Sequence, residues 1–144
     1  MHKFHILIAE DDADDRYLFQ TAFAERGIQD PIHFVNDGVE LLCYLDKLFG
    51  NNNSPEKGFP YFILLDLNMP KKDGKEVLKA IKEHPVYKKI PVIIFTTTHN
   101  EQEIKRCYEL GANTYIVKPS SFDLLMKALE GIRNYWFNLA TIST

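Results

Sequence analysis

The feature that most constrains this chain is a set of five short apolar runs: Phe4–Ala9, Ile32–Val35, Tyr61–Leu65, Val92–Phe95 and Thr114–Val117. They are rich in Ile, Val, Leu and Phe and lack clean alternation, which is how strands buried on both faces read. Between them lie stretches with helical period, each carrying one apolar stripe: Leu18, Phe19, Ala22 and Phe23; Leu41, Leu42, Leu45 and Leu48; Val77, Leu78 and Ile81; Ile104, Cys107 and Tyr108. A last stripe runs through Leu125, Leu129, Ile132 and Trp136. Strand and helix thus alternate five times, with crossovers long enough for the right-handed return that parallel strands require. The pattern predicts a doubly wound α/β fold, a five-stranded parallel sheet with helices on both faces.

Local punctuation agrees with that division. Gly27 and Gly111 stand where helix C-caps belong, and Pro85 ends the third helix. Asn100 with Glu103 resembles a capping box, and the last helix starts near Ser120 or Ser121. The segment Phe49–Pro60, rich in Asn, Gly, Pro and Ser, is expected to be a surface loop, and the short polar tail after Phe137 is expected to fray.

A length of 144 residues with 45% hydrophobic content suits one domain with one core, over about residues 4–137. Seventeen basic residues against twenty acidic ones lack the footprint of a nucleic-acid-binding domain, so no direct nucleic-acid partner is expected. The first apolar run, Ile6–Ala9, is too short for a signal peptide or a membrane span and leads straight into carboxylates, which points to a cytoplasmic protein with no membrane partner. Cys43 and Cys107 lie far apart without metal-type spacing and read as buried small apolar residues.

Ligands of an open α/β sheet bind beyond the carboxyl ends of its strands. There stand Glu10, Asp11 and Asp12 after the first run, Asn36 and Asp37 after the second, Asp66 and Asn68 after the third, Thr96, Thr97 and Thr98 after the fourth, and Lys118 with Pro119 after the fifth. Asp12 as a helix cap, Thr96 as a turn residue and Lys118 as a surface charge are ordinary alternatives. Asp66 is different, because an acid directly after Phe62-Ile63-Leu64-Leu65 needs a partner or metal to offset its desolvation. Glu10, Asp11 and Asp66 gathered together would repel one another without a cation, and an oxygen-only donor set suits a hard ion such as Mg²⁺. With Lys118 as a second positive charge and Thr96 as a hydroxyl donor, these are the parts of a phosphoryl-acceptor site.

From about His5 to about Tyr135 the chain resembles the receiver domain of bacterial two-component response regulators, carried by ILIAEDD, FILLDLNMPKKDG, IIFTTT and YIVKP in that order. The resemblance implies a flavodoxin-like strand order 2-1-3-4-5, with the chain forming a single receiver and no output domain. It implies that Asp66 is the phosphorylated residue and that Asp11, Asp66 and the Asn68 backbone carbonyl bind Mg²⁺, with Mn²⁺ as an alternative and Glu10 acting mainly through water. It further implies that Thr96 and Tyr115 move on activation and that the Lys118–Pro119 bond is cis. Thr97 departs from the smaller residue often found there, and the Phe49–Pro60 segment is longer than a minimal receiver needs.

The expected function is a signalling switch that accepts a phosphoryl group from a phosphohistidine on a sensor histidine kinase or a histidine phosphotransfer protein and assists its own modification. The long loop and the LDLNMP wording resemble the small regulators paired with phytochrome-type kinases. Lys105, Arg106 and Lys127 allow a homodimer through the fourth helix, fifth strand and fifth helix, against the simpler reading of a solvated charged face. Two rivals stand beside the switch. A haloacid-dehalogenase-type phosphatase would need a general acid where Asn68 stands, and a constitutive docking module should have lost an acceptor or switch residue.

Overall fold

The computed structural model describes residues 4–25, 32–50, 59–69 and 73–141. Strands β1 (Phe4–Ala9), β2 (Ile32–Val35), β3 (Phe59–Leu65), β4 (Val92–Thr96) and β5 (Thr114–Val117) alternate with helices α1 (Ala13–Glu25), α2 (Gly38–Phe49), α3 (Gly74–Glu83), α4 (Glu101–Glu109) and α5 (Phe122–Arg133). A 3₁₀ turn, Tyr87–Lys89, precedes β4, and a π-helical turn, Asn134–Leu139, follows α5. The strands form one parallel sheet in the order β2-β1-β3-β4-β5, as expected.

Successive residues of the three central strands face opposite sides of the sheet and fill two cores. Leu7, Ala9, Ile63, Leu65, Val92 and Ile94 pack with Leu41 and Leu45 of α2, Val77, Leu78 and Ile81 of α3, and Cys107 of α4. Ile6, Ile8, Phe62, Leu64, Ile93 and Phe95 pack with Phe19 and Ala22 of α1 and with Leu125, Met126, Leu129 and Ile132 of α5. Each fully buried large apolar side chain contributes about 1.5–3 kcal/mol. That burial on both faces is why these strands carry no polar alternation.

Caps set the helix boundaries. Asp37, Asp73, Asn100 and Ser121 each accept a backbone N–H of the following helix. Glu103 does not complete a capping box, because its carboxylate pairs with Lys75 of α3 at 3.0 Å. At the end of α4, Gly111 (φ +107°) donates to Tyr108 O and Ala112 to Cys107 O, the paired bonds of a Schellman stop.

Two further expectations change, and one falls where the structure is not described. Phe49 belongs to α2 and Phe59 and Pro60 to β3, so the Phe49–Pro60 loop is shorter at both ends, its middle lying outside the described residues. Cys107 is buried but Cys43 is exposed, because it falls on the outer face of α2. Gly27 and the last three residues lie outside the described residues.

Gly74 brings α3 against the segment that follows β3. A Cβ there would sit 2.9 Å from Leu67 Cα and 3.3 Å from Asp66 O, both backbone atoms with little room to yield. Gly74→Ala is therefore expected to cost roughly 1–3 kcal/mol by forcing the helix outward. A lower urea midpoint at unchanged slope is the signature; a wild-type midpoint would refute the close-approach argument.

Candidate phosphoryl-acceptor site

The sheet's alternation determines which strand-end residues meet. Ala9 and Leu65 are register partners facing the same core, so the next residues, Glu10 and Asp66, stand side by side on the opposite face. The ladder runs one step beyond the strands to hold them there: Glu10 N–H donates to Val35 O at 3.0 Å and Asp66 N–H to Ala9 O at 3.2 Å. Both are buried, with Glu10 2% and Asp66 8% exposed.

Lys118 joins this pair from the end of β5, where its N–H donates to Thr96 O at 2.7 Å. Its ammonium donates to Glu10 Oε1 at 2.7 Å, Asp66 Oδ2 at 3.0 Å and Asp15 Oδ2 at 3.0 Å. Burial alone would push the lysine pKa down, but the Glu10 hydrogen bond, the Asp66 charge and the Asp15 bond outweigh it and hold it above the ordinary lysine value. Glu10 is pushed up to about 7, chiefly by burial, against the Lys118 hydrogen bond and with the Asp66 charge adding to the rise. One ammonium is shared among three acids, and the most buried acid is left short of positive charge.

Asn68 N–H donates to Asp66 Oδ1 at 3.0 Å, so each carboxylate oxygen of Asp66 has a donor. The Asn68 side-chain amide donates to Thr96 Oγ1 at 3.2 Å, and Thr96 is fully buried. Thr96 follows Phe95, which faces the α1/α5 core, so its side chain turns to the other face and meets Asp66 through Asn68. Two residues on, Thr98 O accepts from the Tyr115 hydroxyl at 2.7 Å.

Asp11 lies at the same mouth, exposed to solvent, with no hydrogen-bond or ion-pair partner among the described residues. Asp12 is the cap of α1, accepting Asp15 N–H at 2.9 Å. Sequence reasoning missed Asp15 and Arg16. Asp15 was signalled by its place three residues after the cap, the first-turn position where an acid suits a helix N-terminus. Arg16 binds Glu10 O and Asn36 Oδ1, both at 2.6 Å, and pins α1 to the ends of β1 and β2.

The donor chemistry fits a hard divalent ion: carboxylate oxygens on Glu10, Asp11 and Asp66, no imidazole or thiol among them, and a buried Glu10 short of positive charge. Among the described residues no three His, Cys, Asp or Glu side chains are grouped as a metal would need, and Glu10, Asp15 and Asp66 gather instead around the Lys118 ammonium.

The strand order and this mouth have the form expected of a receiver, and the model of the response regulator receiver domain family matches residues 6–130. The chain belongs to that family. The receiver is 39% identical to the response regulator Rcp1 of Synechocystis over 137 residues, covering 95% of this chain and 91% of that protein. The crystal structure of the phosphorylated cyanobacterial phytochrome response regulator RcpA superposes with a TM-score of 0.86 at 37% identity, each chain covered in full. The Mn²⁺-bound form of Rcp1 gives 0.81 at 36% identity, covering 99% of this chain and 100% of that one. Membership makes the chain a regulatory phosphoacceptor, a phosphorylation-activated switch, and lends no support to a phosphatase or a constitutive docking module.

One expectation about this receiver's site is corrected. No peptide bond among the described residues is cis, so Lys118–Pro119 is trans. The trans form is the intrinsically favoured one for an X–Pro bond, and the four-carbon lysine stem spans the distance to Glu10 and Asp66 from it.

Glu10 makes stability depend on pH in a direction opposite to that of an ordinary paired carboxylate. Its folded pKa, about 7, lies above its ordinary value of 4.5, so between these values the native state holds the proton that the unfolded chain releases. In chelator-treated protein this carboxyl is expected to lower unfolding stability as pH rises from about 4.5 through about 7. The difference between wild type and Glu10→Gln in urea titrations across that window isolates the effect of this carboxyl; parallel pH curves would refute it.

Proposed function

We propose that Asp66 is the phosphorylated residue of this receiver. The observation that carries the reading is its buried carboxylate at the end of β3, hydrogen-bonded by Lys118 and Asn68 and held beside Glu10. In the transfer, an Asp66 carboxylate oxygen attacks the phosphorus of a phosphohistidine, the P–N bond breaks, and its electron pair returns to the imidazole nitrogen, which takes a proton. Lys118 supplies N–H donors to the phosphoryl oxygens and the Thr96 hydroxyl supplies another. Glu10, Asp11, Asp66 and the Asn68 backbone carbonyl would hold Mg²⁺, or Mn²⁺ in its place, which supplies positive charge to the phosphoryl oxygens. With these groups the receiver assists both its own phosphorylation and its own dephosphorylation.

Asn68 argues against turnover of a phosphomonoester. A general acid is needed at that place, and an amide engaged with Thr96 cannot protonate a leaving group. The acyl phosphate is therefore held as a signal, with Thr96 and Tyr115 as the moving parts. The partner is a sensor histidine kinase or a histidine phosphotransfer protein, and the likeness to RcpA supports a phytochrome-type kinase. A homodimer through α4, β5 and α5 is a further part of this reading. The net charge of -3 supports output through protein contacts without nucleic acid. No helix among the described residues is long and apolar enough to cross a membrane, in keeping with a cytoplasmic place for the receiver.

Incubation with Mg²⁺ and acetyl phosphate, followed by intact mass, tests the assignment. Wild type is expected to gain one phosphoryl group, Asp66→Asn none, and chelator-treated protein none. Lys118→Ala is expected to be slower by at least about tenfold. Equal labelling of wild type and Asp66→Asn would move the acceptor elsewhere.

A further inference from the structure

The Lys118 ammonium has three N–H donors, and all three are taken. Two of its partners, Glu10 and Asp66, come from strand ends, but the third, Asp15, comes from the first turn of α1. The three differ in what they lose on release. The Glu10 side chain is 3% exposed and has no water to replace a lost partner, whereas the Asp15 side chain is 36% exposed. Beside Asp15 lies a cavity of about 290 Å³, bounded by Lys118, Pro119, Ser120 and Phe122, between α1 and the turn leading into α5.

We propose that Asp15 is a positioning residue that competes with the phosphoryl group for the Lys118 ammonium and weakens the site's hold on phosphoryl. This rests on the reading of Asp66 as the acceptor. When an Asp66 oxygen bonds to phosphorus and the donor's bond to phosphorus breaks, with its electron pair leaving on the donor, the new phosphoryl oxygens need N–H donors. A saturated ammonium serves them only by giving up an acceptor it already has. Glu10 is too buried to be abandoned and Asp66, its side chain 9% exposed, is the residue that carries the phosphoryl group beside the ammonium, so the Asp15 bond is the one that yields, its carboxylate turning to water or to the adjacent cavity. Until it yields, its negative charge opposes the arriving anion from the far side of Lys118. The effect is to shorten the signal or to ease return of the phosphoryl group to its donor, without Asp15 touching phosphorus.

Beryllofluoride, a phosphoryl analogue, titrated calorimetrically into the full chain with Mg²⁺ tests this at equilibrium. Asp15→Asn and Asp15→Ser are expected to bind only about three- to tenfold more tightly than wild type at low salt, because solvent screens the charge of the partly exposed Asp15. The gain should shrink as NaCl is raised, Asp15→Glu should stay within about twofold of wild type, and thermal midpoints should hardly move. A purely structural role for Asp15 would shift the midpoint and show no salt dependence. Wild-type or weaker affinity in both neutral variants overturns the proposal while leaving Asp66 untouched. Binding that persists in Asp66→Asn overturns the acceptor assignment and this inference with it.

Discussion

The Lys118 ammonium is the contact on which the carboxyl end of the sheet depends. Lys118 follows β5, which is separated from β3 by β4 and from β1 by both, yet its Nζ reaches acids at the ends of β1 and β3 and on α1. Without it, two almost fully buried acids would face each other in a low-dielectric setting, an arrangement that costs several kcal/mol per uncompensated ion. With it, the ends of three strands and the start of α1 are fixed relative to one another by charge-assisted bonds of 2.7–3.0 Å. The geometry of the mouth therefore comes from electrostatics laid over a frame that the apolar cores have already set.

That frame matters because the two cores decide side-chain direction. Ala9 and Leu65 face the core under α2 and α3, so Glu10 and Asp66 must point toward the α1 and α5 side, where Asp15 and Lys118 also arrive. Phe95 faces the α1 and α5 core, so Thr96 points the other way. Asp66 thus has two flanks. One is charged, built on α1 and the end of β5; the other is neutral, built from Asn68 and Thr96. Gly74 keeps α3 close behind the Asp66–Leu67 backbone, so packing supports Asp66 from below.

Much of this was legible in the sequence for identifiable reasons. Doubly buried strands announce themselves as apolar runs, and caps such as Asn100 and Ser121 act locally, so their signals are local too. Asp66 stood out because an acid after Phe62-Ile63-Leu64-Leu65 is costly unless something answers it. Asp15 and Arg16 were not legible as site residues because their roles depend on the rotation of α1 about its axis, which packing against α5 and the sheet sets. The exposed Cys43 was misjudged for a similar reason, since a small apolar residue at the edge of a helical stripe carries no strong signal of its face. The trans Lys118–Pro119 bond departs from the resemblance, and the length of the lysine side chain makes that departure tolerable.

The two flanks give the proposed switch its direction. A ligand shifts a conformational equilibrium only through bonds that it makes in one state and not the other. On the charged flank a phosphoryl group on Asp66 would compete for Lys118, an exchange that would stay within the mouth. On the neutral flank it competes for the Thr96 hydroxyl, now held by Asn68 at 3.2 Å, a long neutral bond that is cheap to trade for a charged acceptor. Thr96 is two residues from Thr98, whose carbonyl holds the Tyr115 hydroxyl at 2.7 Å, and Tyr115 lies on the edge strand with its N–H bound to Tyr108 of α4. One short backbone segment and one hydrogen bond therefore connect Thr96 with the α4–β5 surface, the route that the proposed switch would use. In the proposed switch the charged flank would set how long the phosphoryl group stays and the neutral flank would carry its presence outward, so that lifetime and output would be tuned by different residues.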